Sequence, residues 1–170
     1  MRNFIMIISL LSIAFKCYSE DPRKYLKLHA LFRGENLKNS VYRAIYLDKK
    51  QRKKYELKII KGRLYTQGGS LFDTGGLSNS MSNYVLSKDG KLYSSRIKRR
   101  VTFEHSSYVA GEDVICAGTM KVVRGKLLII SDMSAQYVAH AYYNLDLVIK
   151  YLKEKGVDTS KVKKFYWGDY

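Results

Sequence analysis

The sequence predicts an α+β domain, in which mostly antiparallel β-hairpins form a twisted sheet and one helix packs against it late in the chain. The first observation is a recurring pattern in residues 55–65, 84–93 and 120–130, where a glycine separates two β-prone runs. The second observation is a change to helical spacing of the apolar residues over residues 143–156. Strand pairs followed by a helix are typical of this fold class.

Each of the three strand-prone segments is predicted to form a hairpin around its glycine. Gly62, Gly90 and Gly125 occupy the turns, because glycine adopts positive φ without steric cost. The Lys and Arg residues beside these glycines are expected to point into solvent. Between the first two hairpins, residues 66–83 are rich in Gly, Ser and Asn, which predicts a long loop.

The predicted helix over residues 143–156 has a polar start, an apolar stripe and a glycine at its end. Asn144 is the expected N-cap, and Gly156 is expected to close the helix. The stripe consists of Leu145, Val148, Ile149 and Leu152. Residues 162–167 are predicted to form a last strand, and residues 35–47 are predicted to hold a short helix near the start.

The first 19 residues have the pattern of a secretory signal peptide. Arg2 gives the positive start, residues 4–15 are apolar apart from two serines, and Ser19 is a small residue at the expected cleavage position. Because this apolar run is shorter than the roughly 20 residues that span a bilayer, we expect cleavage after Ser19 rather than a membrane anchor. We therefore expect a secreted or periplasmic mature chain without a transmembrane span.

The mature chain is strongly basic. Of the 31 Lys and Arg residues, removal of Arg2 and Lys16 leaves 29 against 15 acidic residues, a net charge of +14. This charge attracts acidic proteins, nucleic acid and anionic lipid, although a Lys-rich composition also keeps an exported protein soluble. Because the sequence has no zinc-ligand spacing and no helix-turn-helix pattern, we expect no specific nucleic-acid partner. The predicted partner-binding face contains Lys53, Lys54, Arg96, Lys98 and Arg100.

A series of motifs runs in a fixed order through the domain. It consists of Tyr46-Leu47, Tyr55-Glu56, Gly62 with Leu64, Gln67 with Asp73-Thr74, Val85-Leu86-Ser87, Phe103 with His105-Ser106-Ser107, Gly111, Ala117-Gly118, and Gly125 with Leu127. This series resembles the domain that follows the calmodulin-binding motif in the plant IQ-motif (IQM) proteins, which have relatives in fungi and bacteria. The resemblance covers residues 41–163. It implies a protein-interaction module, with calmodulin as a candidate acidic partner.

Two features depart from the pattern of that family. Where the family has Ser-Gly-His-Tyr followed by a proline, residues 134–137 are Ser-Ala-Gln-Tyr, and no proline follows. If the family histidine does chemistry, this chain lacks it. Residues 20–40 also contain no IQ motif, so the calmodulin-binding element is missing from this segment. We therefore expect an N-terminal lead-in over residues 20–40 and a single IQM-like domain over residues 41–170.

The His-Ser-Ser motif supplies the candidate catalytic residues, His105 and Ser107. We predict that the motif ends a strand, so that these two side chains share one face and Ser106 lies on the other. The histidine could act as a general base or bind a ligand. Alternatively, it is a buried histidine whose serine neighbours satisfy backbone groups. The expected ligand pocket contains Ser106, Gly111, Gly118, Ser134, Gln136 and Tyr137.

The sequence leaves two functions open. The first is an exported interaction module, a secreted effector that engages an acidic partner such as calmodulin. The second is a transferase, with a pocket similar to those of ADP-ribosyltransferases, or a hydrolase, centred on the His-Ser-Ser motif. No cofactor is expected. No metal site is expected either, because the three histidines are scattered and Cys116 is the lone thiol after cleavage.

Overall fold

The computed structural model describes residues 21–34, 36–37, 43–75, 80–96, 103–140, 142–167 and 169. The predicted signal peptide, Lys98 and Arg100 lie outside these residues. The main sheet has the strand order β4 (Leu92–Ser94), β3 (Ser82–Ser87), β5 (Val114–Val123), β6 (Lys126–Ser131) and β7 (Lys163–Phe165). A second sheet pairs β1 (Lys58–Ile60) with β2 (Arg63–Tyr65), and the α-helices are α1 (Lys49–Lys53) and α2 (Tyr143–Glu154). The predicted α+β class is confirmed.

All three predicted hairpins are present, since β1 pairs with β2, β3 with β4 and β5 with β6, each antiparallel. In the first turn, Lys61 and Gly62 have φ values of 47° and 72°. In the third turn, Arg124 and Gly125 have φ values of 48° and 75°. Two consecutive positive φ values are typical of a type I′ turn, whose twist matches the twist of the flanking strands.

Strand β5 lies between two hydrophobic cores. Along the neighbouring β3, Tyr84 and Leu86 belong to one core and Val85 to the other, as the alternation of side chains in a strand requires. Helix α2 packs into the first core, and the 3-10 helix His105–Val109 contributes to the second. The predicted apolar stripe of α2 is confirmed, since all four of its members are buried in the first core: Leu145, Val148, Ile149 and Leu152.

The start of α2 differs from the prediction. Tyr142, with φ of 59°, precedes the helix, and Asn144 lies inside the first turn rather than at the N-cap. The buried Asn144 side chain donates to the carbonyl oxygens of Arg23 and Ile115, at 3.0 and 2.9 Å, and accepts from the His140 N–H at 2.9 Å. Asn144 therefore ties α2 to β5 and to the N-terminal segment instead of capping the helix.

The prediction of a short helix within residues 35–47 is wrong for the described residues of that range, since none of them is helical. Helix α1 begins after Asp48 instead. Asp48 Oδ1 accepts from the Gln51 N–H at 2.7 Å, and Gln51 Oε1 accepts from the Asp48 N–H at 2.9 Å. This reciprocal capping box fixes the residue at which α1 starts.

The edge strands of the main sheet are β4 and β7, and each forms backbone hydrogen bonds with a different part of the chain. Beside β4, the Leu57 N–H donates to the Leu92 carbonyl oxygen at 2.8 Å, and the Ser94 N–H donates to the Tyr55 carbonyl oxygen at 3.0 Å. At the other edge, β7 pairs parallel with β6, because α2 connects these two strands. The predicted last strand is therefore confirmed within residues 162–167.

No helix in the described part of the chain is long and apolar enough to cross a membrane.

Gly118 in β5 is expected to tolerate no side chain. A Cβ there would clash with the Ser131 carbonyl oxygen and lie 2.8 Å from the Asp132 Cα. We expect Gly118→Ala to lower the free energy of unfolding by about 3 kcal/mol, because only a backbone shift relieves the clash. Urea denaturation measures this loss. Gly68→Ala is the matched control, since an added Cβ there has its nearest neighbour, Thr66 Oγ1, at 3.8 Å; equal losses in the two variants would contradict the prediction.

Candidate functional site

The His-Ser-Ser motif lies on the buried 3-10 helix His105–Val109, so the prediction that the motif ends a strand is wrong. The Ser107 N–H donates to the Glu104 carbonyl oxygen at 3.1 Å, and the Glu104 N–H donates to Ser107 Oγ at 3.0 Å. These local bonds turn the chain away from an extended conformation. Strand alternation therefore does not apply, and the side chains of His105, Ser106 and Ser107 have different partners.

His105 is held between two fixed partners. Its Nε2 lies 2.9 Å from the Gly118 carbonyl oxygen, and its Nδ1 lies 3.3 Å from Ser134 Oγ. Burial lowers the pKa of His105 to about 4, so the imidazole is neutral at pH 7. Because a carbonyl oxygen only accepts hydrogen bonds, we assign the proton to Nε2, and the Ser134 hydroxyl donates to Nδ1.

Ser106 and Gln136 form a second buried link beside His105. The Ser106 N–H donates to Gln136 Oε1, and Gln136 Nε2 donates to Ser106 Oγ, each at 3.0 Å. Gln136 stands at the position where the resemblance described in the sequence analysis places a histidine. A carboxamide places an acceptor and a donor side by side, so it can bond both groups of one serine. The departure from the family pattern therefore has a structural role in this chain.

Other predicted pocket residues extend this network. The Tyr137 N–H donates to Ser134 Oγ at 3.2 Å, and the Tyr137 hydroxyl donates to the Glu112 carbonyl oxygen at 3.0 Å. Gly111 has a φ of 76°, a conformation that favours glycine, and an added Cβ there would lie 2.6 Å from the Tyr46 hydroxyl oxygen. The structure thus brings the predicted pocket residues into one network around the 3-10 helix.

The pair of Ser134 and His105 has the composition of a nucleophile and its base, but its geometry favours a structural role. The third partner is the Gly118 carbonyl rather than a carboxylate that would stabilise an imidazolium. Ser134 and His105 are 2% and 6% exposed, so a substrate cannot reach the hydroxyl in this conformation. The network joins the 3-10 helix, β5 and residues 134–137. The catalytic roles of His105 and Ser107 stay predictions.

A basic cleft of about 460 Å³, called the Arg52 cleft below, lies at the surface between α1 and the β3–β4 turn. Helix α1 supplies Lys49, Arg52 and Lys53, and the turn region supplies Lys88 and Lys91. The acidic side chains that line the same cleft are Glu56, Asp89 and Glu112. Within the described residues, no group of three or more His, Cys, Asp or Glu side chains could hold a metal ion.

The fold places the described residues of the predicted basic face in two different clefts. Lys53 lines the Arg52 cleft, whereas Lys54 and Arg96 line a second cleft of about 320 Å³. The sequence prediction omits Lys88 and Lys91, because it assigns the basic residues beside the second hairpin turn to solvent. Their position on either side of a hairpin turn indicates exposure, but no local pattern in the sequence places them beside α1.

Arg52 is the most buried basic residue of its cleft, with a side chain 12% exposed. Its Nη2 lies 3.5 Å from the Leu47 carbonyl oxygen and 3.5 Å from Glu112 Oε1. Its Nε is buried and has no hydrogen-bond partner among the described residues. A buried N–H without a partner is uncommon in proteins. Because Nε is closed to solvent in this conformation, an acceptor reaches it only when the guanidinium turns toward the cleft.

The sequence profile of the IQ motif-containing protein middle domain matches residues 51–142. The chain belongs to this family. The match confirms the resemblance found in the sequence. It includes the His105 network and most of the residues that line the Arg52 cleft, so both lie in the IQM middle domain itself.

Three proteins similar to this IQM domain come from Arabidopsis thaliana. IQ domain-containing protein IQM2 is 32% identical over 121 residues, which are 69% of this chain and 20% of the relative. IQM3 is 32% identical over 120 residues, which are 69% of this chain and 26% of the relative. IQM1 is 33% identical over 120 residues, which are 70% of this chain and 24% of the relative. The chain thus spans about a fifth to a quarter of the length of these relatives. No solved structure matches it.

Removal of the Gln136 side chain is expected to destabilise the domain. Gln136→Ala leaves the buried Ser106 N–H and hydroxyl without their partner, so we expect the free energy of unfolding to fall by about 2 kcal/mol. Urea denaturation measures this change. Ala135→Ser, at the exposed neighbouring position, serves as the control and should differ from wild type by less than about 0.5 kcal/mol. A Gln136→Ala variant as stable as that control would contradict the structural role.

The stability of the domain is expected to depend on pH through His105. Burial lowers the pKa of His105 to about 4 in the folded chain, whereas an unfolded histidine has a pKa of about 6.5. The unfolded state therefore binds the extra proton between these values. We expect the His105 contribution to be intact above about pH 6.5 and to fall by about 3 kcal/mol as the pH drops to about 4. Urea denaturation at several pH values, compared with His105→Gln, measures this; equal slopes in the two proteins would refute it.

Proposed function

We propose that this chain is an exported protein-interaction module that binds an acidic partner protein through the Arg52 cleft. The observation that carries the proposal is the convergence of basic side chains from α1 and the β3–β4 turn on one cleft. Lys49, Lys53, Lys88 and Lys91 are all exposed there and accessible to a partner. Clustered positive charge of this kind accelerates association with an acidic protein and restricts the choice of partner.

Membership of the IQM family supports a role in protein interaction. The relatives are named IQ domain-containing proteins, and the family resemblance makes calmodulin the first acidic partner to test. Because residues 20–40 contain no IQ motif, we propose that the middle domain itself makes the contact. Export and action as a secreted effector belong to the same proposal and rest on the signal-peptide pattern of residues 1–19.

The geometry around His105 favours binding over catalysis. The hydroxyls of Ser106, Ser107 and Ser134 all take part in hydrogen bonds within the fold, and the three residues are almost fully buried. A transferase or hydrolase needs a reactive group that a substrate can reach. The Arg52 cleft, in contrast, presents its charged groups at the surface.

Calorimetric titration of the chain into calmodulin tests the proposed function. We expect saturable binding with a defined stoichiometry at about 0.3 M salt, where attraction from charge alone is largely screened. The titration is run both with calcium and with a chelator, because the calcium state decides which surface of calmodulin is presented. Absence of saturable binding in both conditions would remove calmodulin as the partner.

A matched pair of charge variants tests whether the Arg52 cleft is the binding surface. Lys53→Gln with Lys88→Gln removes two charges from the cleft, and we expect about tenfold weaker binding of calmodulin. Lys150→Gln with Lys153→Gln removes the same charge from exposed positions on α2 and should leave the affinity nearly unchanged. Equal weakening in the two double variants would show attraction by net charge and would overturn the assignment to the cleft. Thermal melting confirms that all variants are folded.

A further inference from the structure

We infer that the Arg52 cleft is a binding site for a phosphomonoester group, the dianion carried by phosphorylated side chains and by small phosphate esters. The inference uses the same cleft as the proposed function and adds the guanidinium of Arg52 to the exposed lysines, but it does not require calmodulin as the partner. Phosphoryl oxygens supply several acceptors at once, and the cleft offers several donors.

The donors come from two elements that face the same space. Lys49, Arg52 and Lys53 are spaced i, i+3 and i+4, which places them on one side of α1. Lys88 and Lys91 belong to the turn region between β3 and β4 and line the same cleft. Because the Asp48 capping box fixes the start of α1, the direction of its three basic side chains is set before any ligand arrives.

Arg52 is held in place yet incompletely bonded. Its Nη2 contacts the Leu47 carbonyl oxygen at 3.5 Å, while its buried Nε has no partner among the described residues. The neighbouring Nε–H and Nη–H groups of a guanidinium form a planar fork that suits two oxygens of a phosphoryl group. Because Nε is buried in this conformation, the inference includes a small turn of the Arg52 side chain toward the cleft when the ligand binds. Glu112, whose side chain is 64% exposed, approaches at 3.5 Å and makes a weak ion pair that an anionic ligand can displace.

The charge of the cleft suits a dianion. Five basic and three acidic side chains line it, a net charge of +2. Asp89 pairs with Lys91 at 3.2 Å, whereas Lys49 and Lys53 make no ion pair with any described residue. A phosphomonoester carries nearly two negative charges at pH 7 and three acceptor oxygens, while a carboxylate carries one charge and two oxygens. The volume of about 460 Å³ is large enough for a phosphorylated side chain with its neighbouring atoms.

Titration with defined anions tests the inference on the full chain. The probes are inorganic phosphate, a hexapeptide with one phosphoserine and neutral flanking residues, and acetate as the carboxylate comparison. Calorimetry gives the affinities, and the nitrogen-15 NMR signal of the Arg52 Nε–H reports contact with the ligand directly. We expect saturable binding of phosphate or the phosphopeptide, a shift of that signal, and about tenfold weaker binding of acetate. Preference for free phosphate indicates a small ester as ligand, and preference for the peptide indicates a phosphorylated protein; both support the site.

Two substitutions in the cleft are expected to change the affinity for phosphate in opposite directions. Arg52→Lys keeps the charge but removes the planar fork, so we expect about tenfold weaker phosphate binding, whereas Arg63→Lys, outside the cleft, should have no effect. Glu112→Gln removes a competing carboxylate and should tighten phosphate binding by about threefold, whereas Glu154→Gln on α2 should not. If Arg52→Lys is unstable, Lys49→Gln with Lys53→Gln provides a second weakening variant at exposed positions.

Three outcomes would overturn the phosphomonoester site. These are acetate binding as tightly as phosphate, an Arg52 Nε–H signal that does not move at saturation, and equal effects of the Arg52 and Arg63 variants. Calmodulin binding without any phosphate or phosphopeptide binding would remove this inference and leave the proposed function standing. Phosphate binding without calmodulin binding would support the phosphomonoester site and remove calmodulin binding as the proposed function.

Discussion

A neutral imidazole, buried between a backbone carbonyl and a serine hydroxyl, determines how the 3-10 helix packs against one side of the main sheet. His105 donates to Gly118 in β5 and accepts from Ser134, so it joins the 3-10 helix both to the central strand and to residues 134–137. The close approach at Gly118, where any Cβ would clash with Ser131, belongs to the same contact region. Protonation of the imidazole would oppose this arrangement, because a buried charge without a carboxylate partner is unfavourable.

The position of the Arg52 cleft follows from the same network. The Leu47 N–H donates to the Ser107 carbonyl oxygen at 3.1 Å, so the 3-10 helix fixes the segment that leads into α1. Asp48 then caps α1, and the Leu47 carbonyl oxygen contacts the Arg52 guanidinium. The buried histidine network and the surface cleft are therefore successive parts of one path along the chain. Through this connection, a motif without solvent access helps to set the position of the surface cleft.

Sequence reasoning succeeds where the determinants are local. The Lys61-Gly62 turn and the apolar stripe of α2 act within a few residues, so their patterns predict the observed elements. The Glu104–Ser107 bonds leave no trace in hydrophobic periodicity, so periodicity alone predicts a strand at the His-Ser-Ser motif. Grouping charges by sequence likewise places Lys53 with Arg96, whereas the fold places Lys53 in one cleft with Lys88, a residue from a distant hairpin.

The two edge strands of the main sheet restrict how any partner can approach. Residues 55–57 occupy the hydrogen-bonding groups beside β4, and exposed Lys163 and Lys164 place two positive charges on the short edge strand β7. Such features oppose the addition of an extra strand from another chain, which is the usual route to edge-to-edge aggregation and to β-augmentation by peptides. These features favour recognition through side chains over extension of the main sheet by a partner strand.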